Sequence, residues 1–199
     1  MFTPVLFTDL PRTDVKTRFD EALVEHAVEP AALPDTLATH RRNIEGLRGD
    51  LAAFGTDVDR TRLGRELHRL GTAASLAGDH AAARAALDEA VVHFERLERP
   101  LATWWVRARR AWAIERAGQP RVASTALTAL LDEATDVHLK AYGEAVYRWR
   151  ARAWLAAGDL GAAREDLETA IDIVRDRPRP TGLDALVDAL HHLGRSTVR

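Results

Sequence analysis

Arginines interleaved with tryptophans are the side chains of this protein that are best suited to bind a ligand. They stand in two stretches, WWVRARRAW at residues 104–112 and YRWRARAW at residues 147–154. A guanidinium group binds a carboxylate through two parallel hydrogen bonds, and an indole offers a large, stiff contact area. The two stretches therefore predict a binding site for a peptide, above all an acidic or C-terminal segment with an apolar anchor.

Some of these tryptophans are predicted to pack between helices instead. Trp112 stands six residues before one glycine and Trp154 four residues before the equivalent glycine, which separates their directions by about 200° around a helix. The two rings cannot both face the same core. We expect Trp154 and Trp104 to fill gaps between helices, whereas Trp105, Trp112 and Trp149 fit a core and a ligand site equally well.

The eight histidines do not indicate a metal or acid–base site. His191 and His192 are adjacent, so their side chains point about 100° apart on a helix, and His40 lies on an apolar face typical of a packed histidine. The chain has no cysteine, no glycine-rich phosphate loop and no Gly-x-Ser-x-Gly turn. We predict a protein that is not an enzyme and that needs no metal or cofactor.

Composition limits the partners and the compartment. The 199 residues carry a formal net charge of −2, so no overall field draws the protein to nucleic acid or to an acidic membrane. The first residues, MFTPVLFTDLP, lack the basic start of a signal peptide. No apolar run approaches the roughly 18 residues of a membrane span. We expect a cytoplasmic protein with no membrane partner.

A repeat marked by glycines must position the Arg/Trp stretches. Gly78, Gly118 and Gly158 are spaced 40 residues apart in a chain whose alanines, leucines, arginines and glutamates favour helix. A glycine after one helix and a capping residue such as Asp159 before the next make a tight helical hairpin. The same residue classes recur around each glycine: small residues seven before (Gly71, Ala111, Ala151) and five after (Ala83, Ala123, Ala163), larger ones nine after (Leu87, Leu127, Leu167) and thirteen after (Val91, Leu131, Ile171).

These columns have a physical meaning in a stack of hairpins. Small residues let paired helices approach closely, and the larger residues fill the space between neighbouring hairpins. An ordinary bundle of three amphipathic hairpins is the alternative. A bundle does not require equal spacing of 40 residues, so we favour a repeat.

The pattern L-G-x-x-A-x-x-x-G-D-x-x-x-A-x-x-x-L-x-x-A, from Leu70 to Ala90, resembles the tetratricopeptide repeat, whose usual period is about 34 residues. The longer period implies longer helices, at 57–77 with 79–97, 100–117 with 120–136, and 139–157 with 159–174. Arg110 and Arg150 depart from the family, which usually has Leu there. The resemblance implies an all-α fold, a right-handed superhelix (α-solenoid) of antiparallel helix hairpins with terminal capping helices.

The predicted organisation has three parts. Residues 1–56 are an N-terminal segment and a diverged capping hairpin, residues 57–174 are three repeats (57–97, 100–136, 139–174), and residues 175–199 are a linker and a C-terminal capping helix. Apolar stripes support both caps: Val15, Phe19, Ala22, Leu23 and His26; Leu37, His40, Ile44, Leu47, Leu51 and Phe54; and Leu183, Leu186, Val187, Leu190 and Leu193. The middle stripe is also compatible with the seam of a homodimer.

The resemblance also implies which residues line a concave groove, because the first helix of each repeat faces the ligand in this family. At the family's groove positions, the first unit of this chain has arginine and histidine, and the second and third have arginine and tryptophan. The predicted site residues are Arg65, His68, Arg69, Trp105, Arg109, Trp112, Arg148, Trp149 and Arg152.

Three functions remain open from the sequence. The first is a non-catalytic scaffold that binds a protein or peptide in the Arg/Trp-lined groove. The second is a regulatory domain that senses a small anionic ligand or a signalling peptide. The third is binding of single-stranded nucleic acid, against which the near-neutral charge and the acidic helix faces count. The apolar N-terminal residues, Phe2, Val5, Leu6, Phe7 and Leu10, would pack on their own hairpin or in a neighbour's groove.

Overall fold

The computed structural model describes residues 30–175 and Val187, and the regular elements in this part of the chain are all helical. Seven long helices follow a short 3-10 turn at Pro30–Ala32. They are α1 (Leu33–Phe54), α2 (Asp57–Leu76), α3 (His80–Arg96), α4 (Pro100–Arg116), α5 (Pro120–Asp132), α6 (Glu144–Ala157) and α7 (Leu160–Arg175). A helical turn (Asp136–His138) and a π-helical segment (Leu139–Gly143) lead directly into α6. Within these residues, none of the helices has the length and apolar content to cross a lipid bilayer.

The helices follow one another as the glycine spacing predicts, with one difference in α5. This helix ends at Asp132, before the predicted end at 136, because Thr135 and His138 form a capping box that begins the next helical turn. The predicted stripe at 15–26 lies outside the described residues. So does the C-terminal capping stripe, except for Val187, which packs against the apolar cluster of α6 and α7.

The three glycines at the predicted breaks take the backbone conformation that the turns require. Gly78, Gly118 and Gly158 have left-handed φ angles of 79°, 79° and 87°. Asp79 and Asp159 cap the helices that follow, since the carboxylate of each accepts a hydrogen bond from the backbone N–H three residues later. The predicted glycine turns are therefore confirmed.

Each helix packs against the next one along the chain. In addition, α2 contacts α4, and α4 contacts α6. The first helices of the three predicted hairpins therefore lie side by side, while α3, α5 and α7 are their hairpin partners. This order places residues 40 positions apart in the sequence on neighbouring helices.

Small residues bring paired helices together where the sequence predicts close approach. A Cβ atom added to Gly71 would lie 2.5 Å from Leu87 Cγ and 3.1 Å from the carbonyl oxygen of Ala83. At Gly64 it would lie 2.8 Å from the ring of Phe94. Both glycines are on α2 and all three neighbours are on α3. The backbone of α2 therefore packs directly against side chains of α3. The equivalent alanines of the other hairpins are also buried: Ala111, Ala123, Ala151 and Ala163.

Helix α1 packs against α2 of the same chain. Leu37 and Ile44 are buried in the core, and Leu47 and Leu51 pack against it. Phe54, at the end of the same predicted stripe, is 73 % exposed. The stripe that the sequence assigned to a cap or to a dimer seam therefore buries most of its length within one chain.

The two arginines that depart from the family pattern join helices by ion pairs. Arg110 Nε lies 2.5 Å from Asp88 Oδ1 on α3. Arg150 binds both carboxylate oxygens of Asp166 on α7, at 2.8 and 2.6 Å, and donates to Thr128 on α5. Burial lowers the pKa of Arg150, but the hydrogen bonds and the charge of Asp166 outweigh it and raise that pKa overall. Arginine replaces an apolar contact here with a polar one of fixed geometry.

Substituting Gly71→Ala is expected to lower the free energy of unfolding by about 1–3 kcal/mol, because the new methyl group overlaps Leu87. Gly46→Ala is the matched control on α1, where an added Cβ meets nothing within 4 Å. Higher helix propensity should leave its stability unchanged or raise it by about 0.5–1 kcal/mol. Urea unfolding followed by circular dichroism measures both. Equal stability of the two variants would contradict the close packing of α2 on α3.

Candidate functional site

The nine predicted site residues lie on the three helices that stand side by side. We call this set the Arg–Trp face: Arg65, His68 and Arg69 on α2, Trp105, Arg109 and Trp112 on α4, and Arg148, Trp149 and Arg152 on α6. Within each helix the residues are spaced by one, three, four or seven positions, which places them on one side of the helix. The contacts between α2 and α4 and between α4 and α6 make the three sides continuous.

A guanidinium group surrounded by indole rings forms the centre of this face. The Cζ atom of Arg109 lies 5.2 Å from the ring centroid of Trp105, 4.8 Å from that of Trp112 and 4.4 Å from that of Trp149. The rings also contact one another, since the centroid of Trp149 is 5.0 Å from that of Trp105 and 6.1 Å from that of Trp112. We call these four residues the Arg109 cluster. Each ring attracts the cation through the negative potential of its face.

The Arg109 cluster is buried. Trp105 and Trp112 are 0 % exposed, and Trp149 and Arg109 are 1 % exposed. The sequence left open whether the three tryptophans face a core or a ligand site, and the structure places them out of contact with bulk water. A charge at this depth is costly unless neighbouring groups stabilise it, and the indole faces supply part of that stabilisation.

Tyr142 belongs to the same site, although the sequence analysis did not identify it. It lies in the π-helical segment, its ring stacks on Trp105 at 4.4 Å between centroids, and it is 5 % exposed. Burial raises the pKa of its hydroxyl group, so the ring is neutral at physiological pH. Tyr142 precedes Trp149 by seven residues, which is two helical turns. Tyr142 was missed because it lies before the first groove position of the family's repeat, in the additional helical residues that the longer period provides.

Partly exposed arginines with carboxylate partners form the edge of the Arg–Trp face. Arg69 pairs with Glu66 at 3.2 Å, Arg148 with Glu144 at 3.1 Å and Arg152 with Glu115 at 3.2 Å. The side chains of Arg69 and Arg152 are 46 % and 36 % exposed, so an incoming carboxylate can reach them. Arg116, also on α4, donates to the backbone carbonyl of Ser75 on α2 and lies over Trp112.

His68 is a buried neutral side chain within this basic region. Burial, reinforced by the positive charges of Arg109 and Arg69, lowers its pKa to about 3. The imidazole therefore carries no charge at physiological pH. His68 is predicted as a site residue, and in the structure it adds an uncharged polar group between α2 and the Arg109 cluster.

Glu66 connects the edge of the face to α1. Its carboxylate lies 2.8 Å from His40 Nδ1 and accepts a hydrogen bond of 2.8 Å from Asn43 Nδ2, besides its pair with Arg69. Burial raises the pKa of Glu66, but the hydrogen bonds from His40 and Asn43 outweigh burial and lower that pKa to about 2. His40, predicted as a packed histidine, is thus a partner of a buried carboxylate.

Trp104 and Trp154 face elsewhere, as the sequence predicts. The indole N–H of Trp104 donates to the carbonyl of Leu130 on α5 at 2.9 Å, and its ring contacts His138. Trp154 packs against the apolar cluster of α6 and α7. Beside Trp104 is a recess of about 600 Å³ whose wall carries charges of both signs, with Arg107 bound to Glu133 at 2.6 Å. Across the described residues, no group of three or more histidines and carboxylates is arranged to hold a metal ion.

Comparison of this chain with protein-family models, with curated proteins and with solved structures found no match. The function is therefore inferred from the Arg–Trp face itself. In this face the guanidinium groups provide charge and directed hydrogen bonds, and the aromatic rings provide contact area.

Substituting Arg109→Lys is expected to lower the free energy of unfolding by about 1–3 kcal/mol, because a compact ammonium group cannot stack on three rings as a guanidinium does. Arg107→Lys on the same helix is the matched control. Arg107 is 42 % exposed and pairs with Glu133 at the surface, so its replacement should change stability by less than about 0.5 kcal/mol. Chemical denaturation followed by tryptophan fluorescence measures both. Equal losses would argue against a stabilising role of the rings around Arg109.

The lowered pKa of Glu66 predicts that the protein loses stability in acid. Because its folded-state pKa is about 2 and the ordinary value is 4.5, its contribution is complete above pH 4.5 and is lost as the pH falls towards 2. The stability difference between wild type and Glu66→Gln should therefore be largest at pH 7 and shrink between pH 4.5 and 2. Glu45→Gln, at an exposed position of α1, is the control. Urea midpoints measured at each pH would refute this if the Glu66 difference did not change.

Proposed function

We propose that this protein is a tetratricopeptide-like α-solenoid that binds a protein segment through the Arg–Trp face. In this proposal the three hairpins at 57–97, 100–136 and 139–174 form a right-handed superhelix, and α2, α4 and α6 line its concave side. The protein acts as a non-catalytic scaffold in the cytoplasm and uses no cofactor. The side-by-side contact of α2, α4 and α6 supports this arrangement, because first helices contact one another in such a stack.

The observation that carries the proposal is the concentration of guanidinium groups and indoles on one continuous face. Arg109 is held among three rings, and Arg69 and Arg152 stand at its edge with more than a third of each side chain exposed. Binding sites on proteins are enriched in Trp, Tyr and Arg, because these side chains combine large contact area with directed hydrogen bonds. A structural core alone does not need the five arginines of this face.

The chemistry of the face points to the type of segment. Arginine forks bind carboxylates with two hydrogen bonds each, so the partner carries acidic side chains or a C-terminal carboxylate. Indoles bind apolar side chains, so the partner also carries an apolar anchor. Glu66, Glu115 and Glu144 already pair with arginines of this face, and a partner carboxylate would compete with them.

A small anionic ligand is a second candidate for the same face. The depth of Arg109, which is 1 % exposed, favours it, because an enclosed guanidinium suits a ligand small enough to be surrounded. In that case the protein is a sensor or regulator, and ligand binding would rigidify the contacts among α2, α4 and α6.

Capture from native cell extract tests the proposal. The double variant Arg69→Ala with Arg152→Ala leaves the buried Arg109 cluster intact. Among the three arginines that form ion pairs at the edge of the face, it removes the two that are most exposed. We expect it to bind the captured protein at least about tenfold more weakly than wild type, since each charge-assisted hydrogen bond contributes about 1.5–3 kcal/mol. Quantitative mass spectrometry of the retained proteins, followed by titration of the partner, gives the ratio.

The matched control is Arg84→Ala with Arg164→Ala on α3 and α7. These arginines are 74 % and 60 % exposed and also form surface ion pairs, so the charge change is the same on the opposite helices. If both double variants retain the partner equally, the Arg–Trp face is not the binding site. If no captured protein requires the Arg–Trp face for binding, but a small anion is released when the wild type is denatured, the sensor hypothesis replaces the scaffold hypothesis.

A further inference from the structure

The Arg109 cluster is buried on a side of α4 that does not face its hairpin partner α5. Gly64 and Gly71 mark the side of α2 that meets α3, and Trp104 marks the side of α4 that meets α5. Trp105 is one position further along α4, so its side chain points about 100° away from the side that meets α5. Contacts with Tyr142 and Trp149 cover part of the rings on this side. Trp105 and Trp112 are nevertheless 0 % exposed, which a further covering segment would explain.

The charge of the face indicates what kind of segment would cover it. Six arginines lie on this side of the helices: Arg65, Arg69, Arg109, Arg116, Arg148 and Arg152. Three glutamates pair with arginines there, namely Glu66, Glu115 and Glu144. The face is therefore basic as well as aromatic, and a complementary segment is apolar with an excess of carboxylates.

The first 29 residues of the chain have this chemistry. They contain six acidic and three basic side chains, and their first ten residues contain Phe2, Val5, Leu6, Phe7 and Leu10 with a single charged residue, Asp9. Pro4 and Pro11 stand on either side of the Val5–Leu10 stretch. Proline lowers the entropy that an extended segment loses when it binds.

The length of the chain permits binding within one molecule. Nineteen residues lie between position 10 and Pro30, the first residue that the structure describes, and this stretch can span up to about 65 Å. Three adjacent helices at spacings of about 8–10 Å need much less than that. A tether of this length gives an effective concentration in the millimolar range.

We propose that residues 2–10 bind the Arg–Trp face of their own chain, with Phe7 and Leu6 at the Arg109 cluster and Asp9 at the arginines of the edge. The segment is then a tethered competitor that an outside partner must displace. This regulatory role rests on the proposed function, whereas the intramolecular contact itself does not.

Site-specific photo-cross-linking of the full chain tests the contact. Phe7→benzoylphenylalanine places an aromatic photoprobe at the proposed anchor, and the same probe at Val122, which is 54 % exposed on α5, is the control. After irradiation and tryptic mass spectrometry, we expect cross-links from position 7 to α2, α4 or α6 in monomeric product, at a yield independent of protein concentration. The probe at position 122 should give none to this face.

Two results would overturn the proposal. One is cross-linking of position 7 to other parts of the chain or to nothing, and the other is dimeric product whose yield rises with concentration, which would assign the segment to a second copy. A further variant, Leu6→Asp with Phe7→Asp, should increase acrylamide quenching of tryptophan fluorescence and shift the emission to longer wavelength. Unchanged quenching at unchanged helicity would also contradict it.

The outcomes separate this inference from the proposed function. If position 7 cross-links to the face but Arg69→Ala with Arg152→Ala retains every captured protein, the intramolecular contact stands and the scaffold role fails. If the double variant loses its partner but position 7 does not reach the face, the scaffold role stands and the tethered competitor fails. If both hold, Leu6→Asp with Phe7→Asp should bind the partner more tightly than wild type does.

Discussion

The packing of the hairpins, and the surface that they share, follow from close contact between the two helices of each hairpin. Gly71 meets Leu87 at a distance that leaves no room for a methyl group, and alanines occupy the equivalent places in the other hairpins. Because the helices within each pair are close, the larger side chains beside these contacts are free to fill the space between hairpins. The first helices then lie side by side, and residues from three distant stretches of sequence form one surface.

That surface holds a charge at its centre. Arg109 is surrounded by the faces of Trp105, Trp112 and Trp149, so the guanidinium is stabilised by contacts that also give the cluster its shape. The arginines at the edge differ from it, because they pair with carboxylates and keep part of their surface in water. The face therefore combines a rigid aromatic centre with adjustable charged groups, a combination suited to recognition of a segment that is both apolar and acidic.

Neighbouring residues on one helix contact different parts of the structure. Trp104 donates a hydrogen bond to α5, while Trp105 contacts Tyr142 and Trp149 on the other side. Successive residues of a helix point about 100° apart, which explains the difference. Two adjacent tryptophans in a helical sequence therefore need not belong to the same aromatic cluster. Arg150 differs from its neighbours in the same way, since its bidentate pair with Asp166 joins helices, whereas Arg148 and Arg152 belong to the Arg–Trp face.

The helical class, the glycine turns and the small residues at the helix contacts could be predicted from the sequence, because each depends on local backbone energetics or on spacing along one helix. Through its resemblance to a known repeat, the sequence also predicted nine site residues, which the structure places on α2, α4 and α6. Tertiary structure decided how deep each of them lies, that Tyr142 joins the cluster, and that Arg110 and Arg150 bind carboxylates on neighbouring helices. Burial and pairing depend on which helices meet and at what rotation, and these are properties of the packed chain that no single stretch of residues contains.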